Sequence, residues 1–261
     1  MERIAILFPG QGSHADGMDE PWRGSPIFER GLELLGFDPF ARLGEGTRCQ
    51  QPAIFLCSMA AWERDAPAGV VAAAGHSLGE YAALVAAGAL AFEDALEVVR
   101  VRGEAMAAAP PGGMTALLGA DDAAVRALAA DLGLTVANDN APGQLVLSGP
   151  VDALAEAEAR SDARTRRLDV SGAFHSPLMA PAADALRGAL ARVEIRPPRF
   201  PVYSNGTALP FEDVRGELVA NLLRPVRWRE TVLALPADEL IELGPGRVLT
   251  GLVKRTLRAA A

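Results

Sequence analysis

The chain is expected to be an α/β protein, with a mostly parallel sheet and a second, smaller unit inserted into it. Three observations lead there. Strand-length apolar segments alternate with helix-length ones, the pattern of a parallel sheet covered on both faces. The run Val70–Gly75 enters Gly75-His76-Ser77-Leu78-Gly79, and a helix-forming stretch from Glu80 to Ala87 leaves it. After Pro110-Pro111-Gly112-Gly113 the texture changes to six short elements in the order βαββαβ, the split-βαβ arrangement of a ferredoxin-like unit. Residues 1–113 and 171–261 are assigned to the larger unit and residues 114–170 to the smaller.

Taken in order, Ile4–Phe8 is an apolar strand stopped by Pro9-Gly10-Gln11-Gly12-Ser13, a loop whose backbone can approach another segment closely. Residues 14–50 carry little pattern beyond a helix from Ser25 to Leu35. Gln51-Pro52-Ala53 opens an apolar helix through Trp62. The central strand and elbow follow, then a helix from Phe92 to Ala109. In the smaller unit, Met114–Leu118, Leu134–Ala137, Gln144–Ser148 and Thr165–Val170 are strands. Asp121–Leu132, with an aspartate cap, and Val151–Ala159 are helices. Beyond the loop Ser171–Pro177 come a helix from Met179 to Val193, a strand at Phe200–Ser204, a turn at Asn205-Gly206 and a helix at Glu217–Leu223. The loop Pro225–Trp228 leads to another helix. A strand at Leu240–Leu243 and a helix from Val248 to Arg258 close the chain.

With 261 residues, half of them hydrophobic, the chain can bury a sizeable core. A net charge of −8 argues against a general nucleic-acid binder. No secretory apolar region follows Met1-Glu2-Arg3-Ile4 and no apolar run reaches membrane-span length, so a cytoplasmic protein is expected. Cys49 and Cys57 suit free buried thiols, and histidines and cysteines never cluster as metal ligands would. Arg224, Arg227, Arg229, Arg247, Lys254, Arg255 and Arg258 outnumber the acids near the C-terminus, as either a solvated basic face or a docking patch for an acidic partner.

G-x-S-x-G between a strand and a helix is the pattern of a nucleophile elbow. Its glycines admit a tight turn that lifts Ser77 clear of the sheet, at a helix N-terminus that favours negative charge. A serine nucleophile needs a base. Of the three histidines, His76 should diverge from its neighbour Ser77 and His14 belongs to the first glycine loop, leaving His175. An oxyanion hole would use the N–H of Leu78 and one from another loop, naturally that of Gln11.

Together, Phe8–Ser13, Gln51-Pro52-Ala53, Gly75–Tyr81, Arg102–Met106, Ala137-Asn138, Pro142-Gly143-Gln144, Gly172–Ser176, Pro225–Trp228 and Glu242–Gly246 resemble the malonyl-CoA:acyl carrier protein transacylases of fatty acid and polyketide synthesis, over nearly the whole chain. The resemblance implies an α/β-hydrolase-like larger subdomain with a ferredoxin-like insertion, and malonyl-CoA and a holo-acyl carrier protein as partners, without a cofactor. It implies Ser77 as acyl-carrying nucleophile, His175 as base, Gln11 and Leu78 as oxyanion donors, and Asn221 as the residue whose backbone carbonyl orients the histidine. By the same resemblance Arg102 holds the malonyl carboxylate, which a planar guanidinium can grip bidentately. The alternative for Arg102 is a helix-surface ion pair with Glu104 or Asp94. Phe174 stands where malonyl-selective members carry phenylalanine, whose ring would crowd an α-methyl branch. A serine thioesterase, with water in place of the carrier thiol, and a carrier-binding relative without turnover are the rival readings. The chain is shorter than typical members, between Ser13 and Gln51, around Asn205–Glu217 and at the C-terminus.

Overall fold

Strand β1, Ile4–Phe8, alternates its side chains between two buried layers, and the rest of the fold is arranged about it. The computed structural model describes residues 3–170 and 172–260. The expectations touching Met1, Glu2, Ser171 and Ala261, including the first residue of the Ser171–Pro177 loop, lie outside the described residues. After β1 come helix α1, Pro26–Leu35, a 3₁₀ segment at Phe40–Glu45, and α2, Thr47–Asp65. Next are β2, Val70–Gly75, α3, Gly79–Ala86, and α4, Phe92–Ala107. The antiparallel unit holds β3 (Gly113–Leu118), α5 (Asp122–Asp131), β4 (Thr135–Ala141), β5 (Gln144–Gly149), α6 (Val151–Arg160) and β6 (Arg164–Arg167). The chain then returns through α7 (Ala180–Leu190), β7 (Val202–Tyr203), α8 (Val214–Asn221), α9 (Trp228–Ala234), β8 (Glu239–Glu242) and α10 (Val248–Ala260).

One sheet has the order β7-β2-β1-β8 with every pairing parallel, and the other the order β4-β5-β3-β6 with every pairing antiparallel. Ile6, Phe8 and Ala73 face a large core filled from α2, α3, α4 and α7. Ala5, Leu7, Ala72 and Ala74 face the opposite layer, with Trp228, Leu249 and Leu252. Burial on both faces is why these strands are apolar runs without alternation. Truncating Leu7 to alanine in such packing costs about 2–5 kcal/mol. A third core, with Leu117, Val125, Leu147 and Leu154, lies under the antiparallel sheet. The α/β expectation with its parallel sheet and βαββαβ insertion holds.

Boundaries moved where packing overrode local signals. Helix α2 starts at Thr47, so Pro52 lies within it and not at its first turn. Pro52 leaves one carbonyl of the ladder unbonded, but every residue from Cys49 to Ala61 is buried, and that burial carries the helix through. The strand expected at Phe200–Ser204 shrinks to Val202–Tyr203 at the sheet edge. The strand expected to run to Val170 ends at Arg167, and the chain then turns toward the cavity described below. Asp121 does cap α5, its side chain accepting the Ala124 N–H at 2.9 Å.

The antiparallel sheet is stitched by backbone and charge to the loop before α9 and to α9 itself. Asp139 N–H donates to Val226 O at 2.9 Å and Val226 N–H to Ala137 O at 2.8 Å. Arg229 reaches across to Asp122 and Asp139, both at 2.6 Å, so part of the basic C-terminal face is spent inside the molecule. Arg227 likewise pairs with Glu230. Among the described residues, no helix is long and apolar enough to cross a membrane. Both cysteines are buried and unpaired, and burial pushes both thiols above their ordinary range.

Candidate active site

Ser77 sits between β2 and α3 with a φ of +50°. A β-carbon at Gly75 would lie 1.8 Å from the Gly79 carbonyl carbon, and one at Gly79 would lie 2.1 Å from Phe8 O. Only glycine fits either place. The left-handed backbone at Ser77 is matched at His175, with φ +57°; such conformations cost on the order of 1–3 kcal/mol each and hold only where surroundings impose them.

The two strained residues meet. Ser77 Oγ lies 2.8 Å from His175 Nε2, although 98 residues separate them. His175 Nδ1 faces two backbone carbonyls, Asn221 O at 2.8 Å and Arg224 O at 3.1 Å. Neither oxygen can donate, so Nδ1 carries the hydrogen and Nε2 is left as acceptor for the serine hydroxyl. Among the described residues no carboxylate is hydrogen-bonded to the histidine. Burial, followed by the charge of Arg102, pushes His175 down to about 3 and keeps the imidazole neutral.

Arg102, on α4, is buried at 4 % exposure. Its Nη1 donates to Gln51 Oε1 at 2.6 Å and its Nη2 to Ser77 Oγ at 2.9 Å. Its Cζ lies 5.7 Å from the centroid of the Tyr81 ring, and Nε has no partner. The surface ion pair with Glu104 or Asp94 is not formed; Arg100, two residues earlier, takes Glu97 and Glu104. Among the described residues no carboxylate pairs with Arg102, and burial lowers its pKa from the ordinary value. A buried guanidinium without a counter-ion is costly, and an incoming anion offsets that cost.

Around these groups is a cavity of about 320 Å³ bordered by the antiparallel sheet, by the loops that follow β1 and β2, and by α4. Ser77, His175 and Arg102 border it, as do Gln11 and Leu78, whose backbone N–H groups enter no hydrogen bond among the described residues. Phe174, Met106 and Met114 form apolar wall, and Asn138 and Arg166 come from the antiparallel sheet. Asn221 does not border the cavity and reaches it only through its carbonyl. His76 turns to Asn140 Oδ1 at 2.8 Å and makes no bond to Ser77, as expected from its position.

Several residues of the site escaped the sequence reading. Asn205, taken for a turn, accepts the Ser77 N–H on Oδ1 at 2.6 Å and donates from Nδ2 to Gly75 O at 2.7 Å. Gln51, quoted only within a motif, anchors Arg102. The Arg224 carbonyl gave no signal at all, because a backbone acceptor has no residue type.

The fold is that of an acyl-group transferase. Residues 41–261 match the acyl transferase domain family, and the chain belongs to that family. It is 40 % identical to the malonyl CoA-acyl carrier protein transacylase of Bacillus subtilis, over 99 % of this chain and 92 % of that protein. It is 41 % identical to the polyketide biosynthesis protein ThaF of Burkholderia thailandensis over 97 % of this chain, which spans only 24 % of that longer protein. The crystal structure of malonyl-CoA:acyl carrier protein transacylase from Xanthomonas oryzae superposes with a TM-score of 0.92 at 36 % identity, covering 99 % of this chain and 93 % of that one.

Proposed function

We propose that this chain is a malonyl-CoA:acyl carrier protein transacylase that works through a malonyl-serine ester. The observation that carries the reading is the buried Arg102 guanidinium, which pairs with no carboxylate among the described residues and lies 2.9 Å from Ser77 Oγ. A substrate bearing a free carboxylate three atoms from its thioester carbonyl oxygen supplies the missing charge where the nucleophile waits.

In the first half-reaction Ser77 Oγ attacks the thioester carbonyl of malonyl-CoA while His175 Nε2 takes its proton. Negative charge on the tetrahedral oxygen is held by the N–H groups of Gln11 and Leu78. Collapse breaks the C–S bond, His175 returns the proton to the coenzyme A thiolate, and the acyl ester remains on Ser77. In the second, the phosphopantetheine thiol of the holo-carrier gives its proton to His175 and attacks the ester, and Ser77 leaves with that proton. The carbonyls of Asn221 and Arg224 hold the imidazole in one tautomer and stabilise the imidazolium by accepting from Nδ1–H. Phe174 crowds the α-carbon and favours malonyl over branched analogues. No step draws on a group beyond the chain and its two thioester carriers. Residues 1–113 and 171–261 act as the catalytic subdomain and residues 114–170 as a subdomain closing the cavity, in a cytoplasmic enzyme.

Mass spectrometry of protein mixed with malonyl-CoA is expected to show one malonyl group on Ser77, discharged on addition of holo-carrier. Turnover without that adduct overturns the covalent route. Steady release of free malonate without carrier would make the protein a thioesterase.

A further inference from the structure

Glu80 lies three residues beyond Ser77, in the first turn of α3, and is 2 % exposed. Acids at this end of a helix are ordinary, but this one turns away from its own helix. Its Oε1 accepts two hydrogen bonds, from Asn205 N–H at 2.8 Å and from Asn221 Nδ2 at 2.9 Å. Each donor residue holds one member of the reacting pair. Asn205 Oδ1 accepts the Ser77 N–H at 2.6 Å, and Asn221 O accepts from His175 Nδ1 at 2.8 Å. One carboxyl oxygen therefore joins the segment that fixes the serine to the helix end that fixes the histidine.

We propose that Glu80 is a positioning residue for the serine–histidine pair: through Asn205 and Asn221 it sets the separation of Ser77 Oγ and His175 Nε2, without touching substrate. The inference rests on the reading of Ser77 as nucleophile and His175 as base, and not on which acyl group they move. Two further observations fit. A carboxylic oxygen has two lone pairs and both are used here, a pairing that leucine or alanine cannot reproduce and glutamine can. Keeping a carboxyl group in this layer is expensive, and among the described residues no lysine or arginine is hydrogen-bonded to it, so a solely packing role would be better filled by an apolar side chain. Burial pushes Glu80 up to about 8, opposed by its two donors and by the charge of Arg102, so near neutrality the neutral glutamine is a close mimic.

The test compares Glu80→Gln and Glu80→Leu for the labelling rate of Ser77 by a fluorophosphonate, which needs a competent serine–histidine pair and no malonyl group, and for kcat and KM with malonyl-CoA. Glu80→Gln is expected to stay within about 3-fold of the parent in both rates. Glu80→Leu is expected to lose about 100-fold in labelling rate and in kcat, the effect of a misplacement near 1 Å, with KM changed by less than about 3-fold. Should Glu80→Leu not fold, Asn221→Ala, which keeps the backbone carbonyl and removes the Nδ2 link, is expected to slow labelling about 10-fold. Where both fold, the double variant should be no slower than Glu80→Leu, since the two residues form one strut. Parent-like labelling in Glu80→Leu or in Asn221→Ala, additive effects, or a loss confined to KM overturns the proposal. Protein that labels at Ser77 but takes no malonyl from malonyl-CoA overturns the transfer reading and leaves the Glu80 comparison intact.

Discussion

Arg102 Nη2 donates to Ser77 Oγ at 2.9 Å while His175 Nε2 accepts from the same oxygen at 2.8 Å, so the hydroxyl is held between a cation and a base. The cation favours a serine oxygen that is losing its proton, and it disfavours the imidazolium that receives it. On the proposed reading, a substrate carboxylate placed on the guanidinium would remove the second effect, and a diacid thioester would prepare its own base.

Arg102→Ala is accordingly expected to lower kcat/KM for malonyl-CoA by about 100-fold or more, the worth of a buried charge-assisted pair. Transfer from acetyl-CoA, which has no carboxylate to hold, should fall much less. Paired kinetics with the two thioesters decide it; equal losses would count against the clamp.

The pH profile follows from His175, held at about 3 by burial and by Arg102. An ordinary imidazole loses its base form below pH 6.5. Here kcat/KM, which reports free enzyme, should stay level down to about pH 5, and the acid limb of kcat should lie at higher pH if, as proposed, the malonyl carboxylate offsets the Arg102 charge. For stability the direction is set by the unfolded chain, which binds the proton between 6.5 and 3 when the folded one does not. Stability therefore falls as pH drops through that window. Matching acid limbs in kcat and kcat/KM would refute the coupling.

Glu80 acts in the opposite direction on stability. Its carboxyl is raised to about 8, so the folded protein keeps a proton that the unfolded chain has shed above about 4.5. Stability contributed by this group is full below that value and is lost as pH rises toward 8, with a limiting slope of about 1.4 kcal/mol per pH unit. Denaturant midpoints between pH 6.5 and 8, above the His175 window, should fall for the parent more than for Glu80→Gln.

Phe174 borders the cavity beside His175 and is 5 % exposed. Phe174→Ala should open room at the α-carbon and raise the methylmalonyl-to-malonyl ratio of kcat/KM by roughly 10-fold, within the range a single apolar contact allows. An unchanged ratio would place selectivity elsewhere, Met106 and Met114 being the next walls to vary.

What could be read from the chain divides by physical cause. The elbow was legible because its glycines answer a steric demand written locally: a β-carbon at Gly75 or Gly79 would strike backbone a few residues or one strand away. His175 was legible by elimination among three histidines. Asn205 was not, since Asn-Gly serves equally as a turn, and its bond to Ser77 spans 128 residues. The start of α2 was missed because proline's local preference lost to burial along the whole helix. Residues 14–50 stayed opaque for a related reason: turns and a 3₁₀ segment carry no periodicity, and they are placed by contacts such as the stacked Phe28 and Phe40 rings, 5.2 Å apart.

The backbone stitch between Ala137, Asp139 and Val226 bears on chimaeras built within this family. A graft confined to residues 113–170 would carry one half of that seam and leave the acceptor and donor of Val226 on the old host. The cavity wall supplied by Asn138, which lies between the two stitched residues, would then be free to drift. Exchanging Pro225–Arg229 along with the insert moves the seam as a unit, so the recipient inherits the donor's cavity wall together with its anchorage.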